Sequence, residues 1–229
     1  MRVALFGGSF DPPHRGHVAL VRLARERLAL DRILVATVAT QPLKQETPPA
    51  SFADRVAMAR LAFAGQPDTE ISLLDAPRAD GTSNYTIDTL HALRQQLSPT
   101  DTMFCILGAD SLLTIRKWHC AADLLLTCDF IVGARPGFSL AQARTALPSG
   151  ISATSTSTSL PHTQLLELTG PGNRTARLYL LTDLAEDVSA SAIRAALHRG
   201  GIAPAVIHPR VAAYIRSHGL YREDTDSAG

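Results

Sequence analysis

The feature that most restricts the fold of this chain is the alternation of short apolar runs with amphipathic segments. Runs such as 2–6 and 103–107 have the length and the aliphatic content of buried strands. Segments such as 18–30 and 86–97 carry apolar residues at helical spacing. Strands that alternate with helices form βαβ units around a mostly parallel sheet. We therefore predict an α/β fold with a doubly wound parallel sheet, followed by a small C-terminal helical part.

Composition and charge exclude several classes of protein. The chain has 229 residues, is 45% hydrophobic and carries a formal net charge of +1, which argues against a protein that binds nucleic acid mainly through phosphate contacts. It lacks the ~20 consecutive apolar residues of a membrane span, and its N-terminal apolar run is too short for a signal peptide. Its 3 cysteines form no CxxC pair, which favours reduced thiols. We expect a cytoplasmic protein without nucleic-acid or membrane partners; the oligomeric state is not readable.

The regular alternation stops near residue 135. The segment 139–177 contains a Ser/Thr tract at 152–159 and few large apolar residues. We predict a helix at 140–147 within an otherwise partly mobile insertion, because the segment is too poor in apolar residues for an independent domain. Residues 1–222 are predicted to form one domain, and 223–229 a frayed tail.

A glycine- and histidine-rich motif, Gly-Gly-Ser-Phe-Asp-Pro-Pro-His-Arg-Gly-His, follows the first predicted strand and opens the first helix. Its two leading glycines permit a tight turn and a close approach of backbone N–H groups to a ligand. The helix N-terminus that follows favours an anion such as phosphate. His14 and His17 are three residues apart and fall on one side of the first turn, with Gly16 leaving room beside them. Each part alone is commonplace, but together they predict an anion site. Two histidines without neighbouring acidic or cysteine ligands do not predict a protein-held metal.

The motif resembles the GGSFDPxHxGH signature of the nucleotidyltransferase superfamily, and the chain resembles bacterial nicotinate-nucleotide adenylyltransferases over nearly its whole length except 139–177. The similarity continues through five further stretches, at 84–90, 107–113, 118, 188–194 and 219–222. It implies a Rossmann-like fold. It also implies transfer of AMP from ATP to the 5′-phosphate of nicotinate mononucleotide, which yields nicotinate adenine dinucleotide and pyrophosphate in NAD biosynthesis.

The resemblance also implies the roles of individual residues. The implied catalytic residues are His14, His17, Lys44 and Arg194. The implied ATP-binding residues are Gly7, Gly8, Ser9, Phe10, Gly16, Gly108, Asp110, Ser189 and Ser191. The implied residues for nicotinate mononucleotide are Tyr85, Thr86, Ile87 and Trp118. Mg²⁺ is expected to arrive with ATP, coordinated mostly by phosphate and water.

Local sequence leaves plainer interpretations open for several of these residues. Arg194 also fits a solvated helix position, and Ser189 and Asp110 also fit helix caps. Lys44 also fits an exposed loop, and Trp118 also fits a partial core position.

Two departures from the family pattern bear on substrate binding. The chain has Gln-Pro-Leu-Lys at 41–44 where the family usually has Pro-Pro-His-Lys, from which we expect altered affinity with activity retained. His119 stands where an aromatic residue is common beside Trp118, which changes one wall of the acceptor pocket.

The sequence is also compatible with other functions. The acceptor could instead be nicotinamide mononucleotide or phosphopantetheine, or the chain could be a non-catalytic nucleotide-binding regulatory module. The segment around Tyr85 and Trp118 argues against phosphopantetheine. The presence of both histidines, Gly16 and Arg194 argues against a module without turnover.

Overall fold

The computed structural model describes residues 1–39, 49–134, 137–186, 188–199 and 205–222. The strands within these ranges are β1 (Arg2–Gly8), β2 (Arg32–Thr37), β3 (Thr69–Ser72), β4 (Thr102–Gly108), β5 (Asp129–Gly133), β6 (Ser152–Thr156), β7 (Thr163–Thr169) and β8 (Thr175–Leu181). The helices are α1 (Arg15–Leu28), α2 (Phe52–Phe63), α3 (Thr86–Gln96), α4 (Ala109–Leu113), α5 (Ala121–Leu125), α6 (Leu140–Ala146), α7 (Ala190–His198) and α8 (Pro209–Ser217). Single 3₁₀ turns occur at Ile115–Lys117 and Pro171–Asn173.

The described strands form one sheet in the order β3-β2-β1-β4-β5-β8-β7-β6. Every pairing from β3 across to β8 is parallel, whereas β7 and β6 run antiparallel to their neighbours. The predicted α/β class is therefore confirmed, with two antiparallel strands added at one edge. The chain leaves β1 toward β2 on one side and later returns to β4 on the other. Ligands of such sheets bind beyond the carboxyl ends of the strands at this reversal of strand order.

Helices cover both faces of the sheet because neighbouring residues of the central strands point to opposite sides. Ala4 and Phe6 of β1 join the apolar cluster that includes residues of α1, α2, α7 and α8. Val3 and Leu5 join the cluster that includes residues of α3, α4, α5 and α6. Within the described residues, no helix is long and apolar enough to cross a bilayer.

The segment 139–177 differs from the prediction. Its helix is confirmed as α6, but the expected partly mobile insertion is wrong where the chain forms β6 and β7. Leu166 and Leu168 of β7 are fully buried, with the exposed Glu167 between them, as in a strand with one buried face. β6 lies at the sheet edge, so its Ser/Thr residues face water. Low apolar content therefore reflects an edge position.

The outer edge of β6 is partly covered by a side chain from α6. Arg144 donates to the carbonyl oxygen of Ala153 and to Oγ of Ser155, both at 2.7 Å. Covering an edge strand in this way reduces its ability to pair with another chain. The predicted tail at 223–229 lies outside the described residues.

Replacing Leu168 with Ala is expected to reduce the free energy of unfolding by about 2–5 kcal/mol, since it removes a fully buried side chain and leaves a cavity. Urea denaturation measures this change. Thr154→Ala on exposed β6 is the control, with an expected change within about 0.5 kcal/mol. Equal effects of the two substitutions would contradict the inclusion of β7 in the core.

Candidate active site

A cleft of about 330 Å³ lies at the carboxyl ends of β1 and β4, where the strand order reverses. Its walls come from the loop after β1, the first turns of α1 and α4, and the start of α7. The cleft brings together most of the residues predicted to be catalytic or to bind ATP, namely Gly7, Gly8, Ser9, Phe10, His14, Gly16, His17, Gly108, Asp110, Ser189, Ser191 and Arg194. Lys44 lies outside the described residues.

Two glycines of the motif lie tightly against aromatic rings. A Cβ on Gly8 would lie 3.0 Å from the ring of Phe10, and one on Gly16 would lie 3.1 Å from Nδ1 of His14. Phe10 is buried, adopts a left-handed backbone conformation (φ 48°) and packs edge-to-face on Phe6 and Phe63, with ring centroids 5.3 and 5.8 Å away. The Phe10 ring thus anchors the loop after β1 in the core, and a side chain at Gly8 or Gly16 would force the Phe10 or His14 ring to shift.

The two histidines form one unit at the start of α1. Their rings stack with centroids 3.7 Å apart and an interplanar angle of 23°. The backbone N–H of His14 donates to Nδ1 of His17 at 3.1 Å. Because Nδ1 accepts this bond, a neutral His17 carries its ring proton on Nε2. His17 is therefore set up as a hydrogen-bond donor beside the positive end of a helix, an arrangement that suits phosphate.

Arg194 connects α7 to the loop after β1. One Nη1–H donates to the backbone carbonyl of Asp11 at 2.7 Å, and Nη2 donates to Oγ of Ser191 at 3.3 Å. These contacts decide against the solvated helix interpretation of Arg194. Ser189 is the N-cap of α7, accepting from the backbone N–H of Ala192 at 3.2 Å, and it also lines the cleft. The capping interpretation of Ser189 is therefore correct, and capping places it in the site.

Asp110 occupies the second position of α4, whose N-cap is Gly108. It lines the cleft beside the end of β4. The helix-cap interpretation of Asp110 does not hold.

Among the described residues, no group of three or more His, Cys, Asp or Glu side chains is arranged to hold a metal ion.

Asp11 is a site residue that the sequence analysis did not single out. Its side chain is 4% exposed, and its carboxylate accepts a 2.5 Å hydrogen bond from the hydroxyl of Tyr221. Burial and this hydrogen bond raise the pKa of Tyr221 well above its ordinary value. The two residues are 210 positions apart, so local sequence could not predict the contact.

Arg55 is a second supporting residue that the sequence analysis missed. It is 1% exposed and donates to four backbone carbonyls, those of Ser9 (3.0 Å), Val38 (2.7 Å), Ala39 (3.0 Å) and Ala50 (3.2 Å). Removal from water lowers its pKa. The guanidinium fork thereby holds the loop after β1 against the end of β2.

Glu186 was also missed, although it lines the cleft. Its carboxylate forms a 2.5 Å ion pair with Arg15 at the start of α1. The pair joins segments 171 residues apart, and nothing in the local sequence around Glu186 signals it.

The predicted acceptor residues lie outside this cleft, at the start of α3 and after the 3₁₀ turn that follows α4. Tyr85 is the N-cap residue of α3, and its ring stacks on that of His119 with centroids 4.1 Å apart. Trp118 is half-buried, and its indole N–H is 3.4 Å from Oγ1 of Thr114. The side chain of Ile87 is in the core, so only its backbone is available to a ligand.

Comparison with known proteins identifies the family. The cytidylyltransferase-like family matches residues 5–196. A probable nicotinate-nucleotide adenylyltransferase of Laribacter hongkongensis is 34% identical over 225 residues, which are 97% of this chain and 96% of the relative. A probable nicotinate-nucleotide adenylyltransferase of Gloeobacter violaceus is 36% identical over 222 residues, or 96% of each chain. The chain belongs to the nicotinate-nucleotide adenylyltransferase family.

A solved structure agrees with this assignment at the level of fold. The nicotinic acid mononucleotide adenylyltransferase of Plasmodium falciparum, complexed with NaAD, superposes with a TM-score of 0.69 at 21% identity and covers 96% of this chain and 97% of its own. The Rossmann-like fold implied by the resemblance is therefore confirmed. The family resemblance inferred from sequence motifs excepted 139–177. The alignments with these relatives cover 97% and 96% of the chain, so the similarity extends across that segment as well.

Tyr221→Phe in this family member is expected to reduce the free energy of unfolding by about 1–3 kcal/mol, because the buried Asp11 carboxylate loses a donor. Tyr214→Phe is the matched control. It removes a 2.9 Å hydrogen bond to the more exposed Asp54, and a loss below about 1 kcal/mol is expected. Chemical denaturation of both variants tests this difference, and a smaller loss for Tyr221→Phe would contradict it.

Proposed function

We propose that this chain transfers AMP from ATP to the 5′-phosphate of nicotinate mononucleotide. The observation that carries the proposal is the single cleft in which the His14–His17 pair, Arg194 and the N-terminal ends of α1 and α7 meet beyond β1 and β4. These groups are hydrogen-bond donors and positive dipole ends, which suit a polyphosphate. Relatives named for this activity match over almost the whole chain.

The proposed reaction is a direct displacement at the α-phosphorus of ATP. An oxygen of the acceptor phosphate forms the new P–O bond, and the bond between the α-phosphorus and the oxygen bridging to the β-phosphate breaks, which releases pyrophosphate. A phosphate monoester is already mostly dianionic at pH 7, so no general base is required. The protein therefore contributes position and charge stabilisation.

The donors of the cleft divide into two groups in this proposal. His14 and His17 stabilise the triphosphate and the charge that develops in the transition state, with Nε2–H of His17 as one donor. Arg194, with Ser189 and Ser191, holds the β- and γ-phosphates and the leaving pyrophosphate. Lys44 is proposed to bind phosphate on the strength of the family resemblance alone.

Further residues that line the cleft are proposed to bind the remainder of ATP. The glycines at 7, 8, 16 and 108, with Ser9 and Phe10, form the backbone surface against which ATP lies. Asp110 is proposed to accept a hydrogen bond from a ribose hydroxyl.

We propose that Mg²⁺ enters as the Mg·ATP complex and keeps mostly phosphate and water ligands, because Mg²⁺ dehydrates reluctantly.

The acceptor is proposed to lie at the start of α3. Backbone N–H groups at Thr86 and Ile87 would bind the nicotinate carboxylate, and Trp118 would stack on the pyridine ring, with the Tyr85–His119 stack as a neighbouring wall. Neutral donors of this kind favour the acid over the amide. We further propose that residues 1–222 act as one catalytic domain; a cytoplasmic location stays a prediction.

Purified protein should release pyrophosphate from Mg·ATP with nicotinate mononucleotide, and much more slowly with nicotinamide mononucleotide or phosphopantetheine. Comparable rates with the amide would leave the chemistry intact and remove the acid preference. ATP binding without turnover on any of the three acceptors would overturn the proposal in favour of a regulatory module.

His17→Ala should reduce turnover at least ~100-fold, the usual effect of losing one preorganised donor to a transition state. His91→Ala on the exposed side of α3 is the control and should leave turnover unchanged. Steady-state turnover rates of both variants, compared with the parent, test this prediction, and circular dichroism checks that both variants are folded. A His17→Ala rate within a few-fold of the parent would exclude His17 from the mechanism.

A further inference from the structure

Asp75 is a buried carboxyl group that the proposed reaction does not use. It follows β3 and is 3% exposed. Its Oδ1 accepts a hydrogen bond from the hydroxyl of Thr89 in α3. Its Oδ2 lies 3.8 Å from the position that a Cβ on Gly7 would take. One carboxyl group thus lies beside Gly7 near the end of β1 and is bonded to the helix that begins at the proposed acceptor site.

The hydroxyl of Thr89 has two acceptors but one proton. Besides Asp75, it lies 3.3 Å from the backbone carbonyl of Tyr85, the N-cap residue of α3. When Asp75 is ionised, the Thr89 proton is directed to the carboxylate, which is the stronger acceptor. When Asp75 is protonated, its O–H can donate to Thr89 Oγ1, and the Thr89 proton can then turn to Tyr85. The protonation state of Asp75 therefore changes the hydrogen bonding of the N-cap residue.

The surroundings of Asp75 bring the pKa of its carboxyl group close to neutral pH. Burial raises its pKa to about 6, whereas the Thr89 hydroxyl and the positive charge of Arg78 oppose the rise. Among the described residues, Cys105 of β4 is a further titratable neighbour, and burial raises its pKa to about 12, which keeps the thiol neutral. Arg78 is also paired with Asp88 of α3 at 3.4 Å.

This carboxylate opposes folding at neutral pH. Because its pKa is higher in the folded chain than in the unfolded chain, the folded state is favoured by protonation, and this advantage is lost as the pH rises through about 6. An asparagine of the same shape would avoid that penalty. A buried acid at this position therefore points to a role other than stability.

We propose that Asp75 is a positioning residue of the acceptor site, acting through Thr89 to hold the first turn of α3 beside the carboxyl end of β1. The proposal rests on the function proposed above, because it concerns the binding of the acceptor nucleotide. It predicts an effect on acceptor binding, since the hydrogen bond of the Asp75 side chain is to α3, whereas Gly7 has no side chain to contact the carboxyl group.

The first test is the steady-state kinetics of Asp75→Asn at pH 7.5. The KM for nicotinate mononucleotide is expected to rise about tenfold, the scale of one charge-assisted hydrogen bond, with kcat and the KM for ATP within about twofold of the parent. Tm should be equal or higher, because the buried charge is removed. An unchanged acceptor KM would overturn the proposal, as would a fall in Tm that accompanies equal losses for both substrates.

The second test is the pH dependence of the ratio of kcat/KM for the acceptor between parent and Asp75→Asn. The acceptor phosphate itself titrates near pH 6, but it does so equally for both proteins, so the ratio cancels its contribution. The ratio should be about tenfold above pH 7 and approach one near pH 5, where Asp75 is protonated. A ratio that is constant from pH 5 to 8 would exclude a titrating role.

Matched variants distinguish the effect of the hydrogen bond between Asp75 and Thr89 from the effect of removing any partly buried acid. Thr89→Val should reproduce the effect of Asp75→Asn, and Thr89→Ser, which keeps the hydroxyl, should restore parental kinetics. Asp129→Asn is the control for a partly buried acid at the opposite end of the sheet, where the carboxylate accepts from the backbone N–H of Arg177 at 2.8 Å; it should leave both KM values unchanged. Parental kinetics in Thr89→Val would overturn the proposal. Absence of turnover in the parent would remove the proposed function and this inference with it.

Discussion

β1 pairs with β2 along one side and with β4 along the other, and both pairings are parallel. A central strand of this kind is covered by helices on both faces. At its carboxyl end the chain leaves the sheet and enters a connecting loop. The turn after β1 and the turn after β4 therefore lie side by side, and α1 and α4 begin next to each other. The cleft forms because the two connections leave β1 and β4 in opposite directions, which is a property of the strand order and not of any one side chain.

Asp11 is the junction through which the C-terminal part becomes part of this cleft. Its carbonyl accepts from Arg194 of α7, and its carboxylate accepts from Tyr221, which follows α8. Arg55 adds a favourable positive charge nearby on the α2 side. A buried carboxylate is tolerated only when such partners are present, so the loop and its partners are stabilised together. The small C-terminal part thus completes the site as well as covering the core.

Local patterns predicted the parts of this structure that depend on neighbours in sequence. The strand–Gly-Gly–helix order and the histidine spacing were enough to place His14, His17 and Gly16 together, and the apolar periodicity was enough for the parallel core. Contacts between distant residues were not predictable, and Tyr221 on Asp11 is the clearest case. The Ser/Thr tract was misjudged for a related reason: an edge strand buries one face at most, so β6 lacks the apolar content by which interior strands are recognised.

The proposed function requires a chain with a net charge of +1 to present a site for a polyanion, and the cleft indicates how it does so. Two acidic residues of the cleft already have partners: Asp11 accepts a hydrogen bond from Tyr221, and Glu186 forms an ion pair with Arg15. In the proposed function, the attraction for phosphate then comes from oriented donors: helix N-termini, the His17 Nε2–H and the Arg194 guanidinium. Such groups act at hydrogen-bond distance and are screened by salt less than exposed surface charges are. A site of this kind selects its ligand by the positions of donors, so residues that hold those donors in place influence binding as directly as the donors themselves.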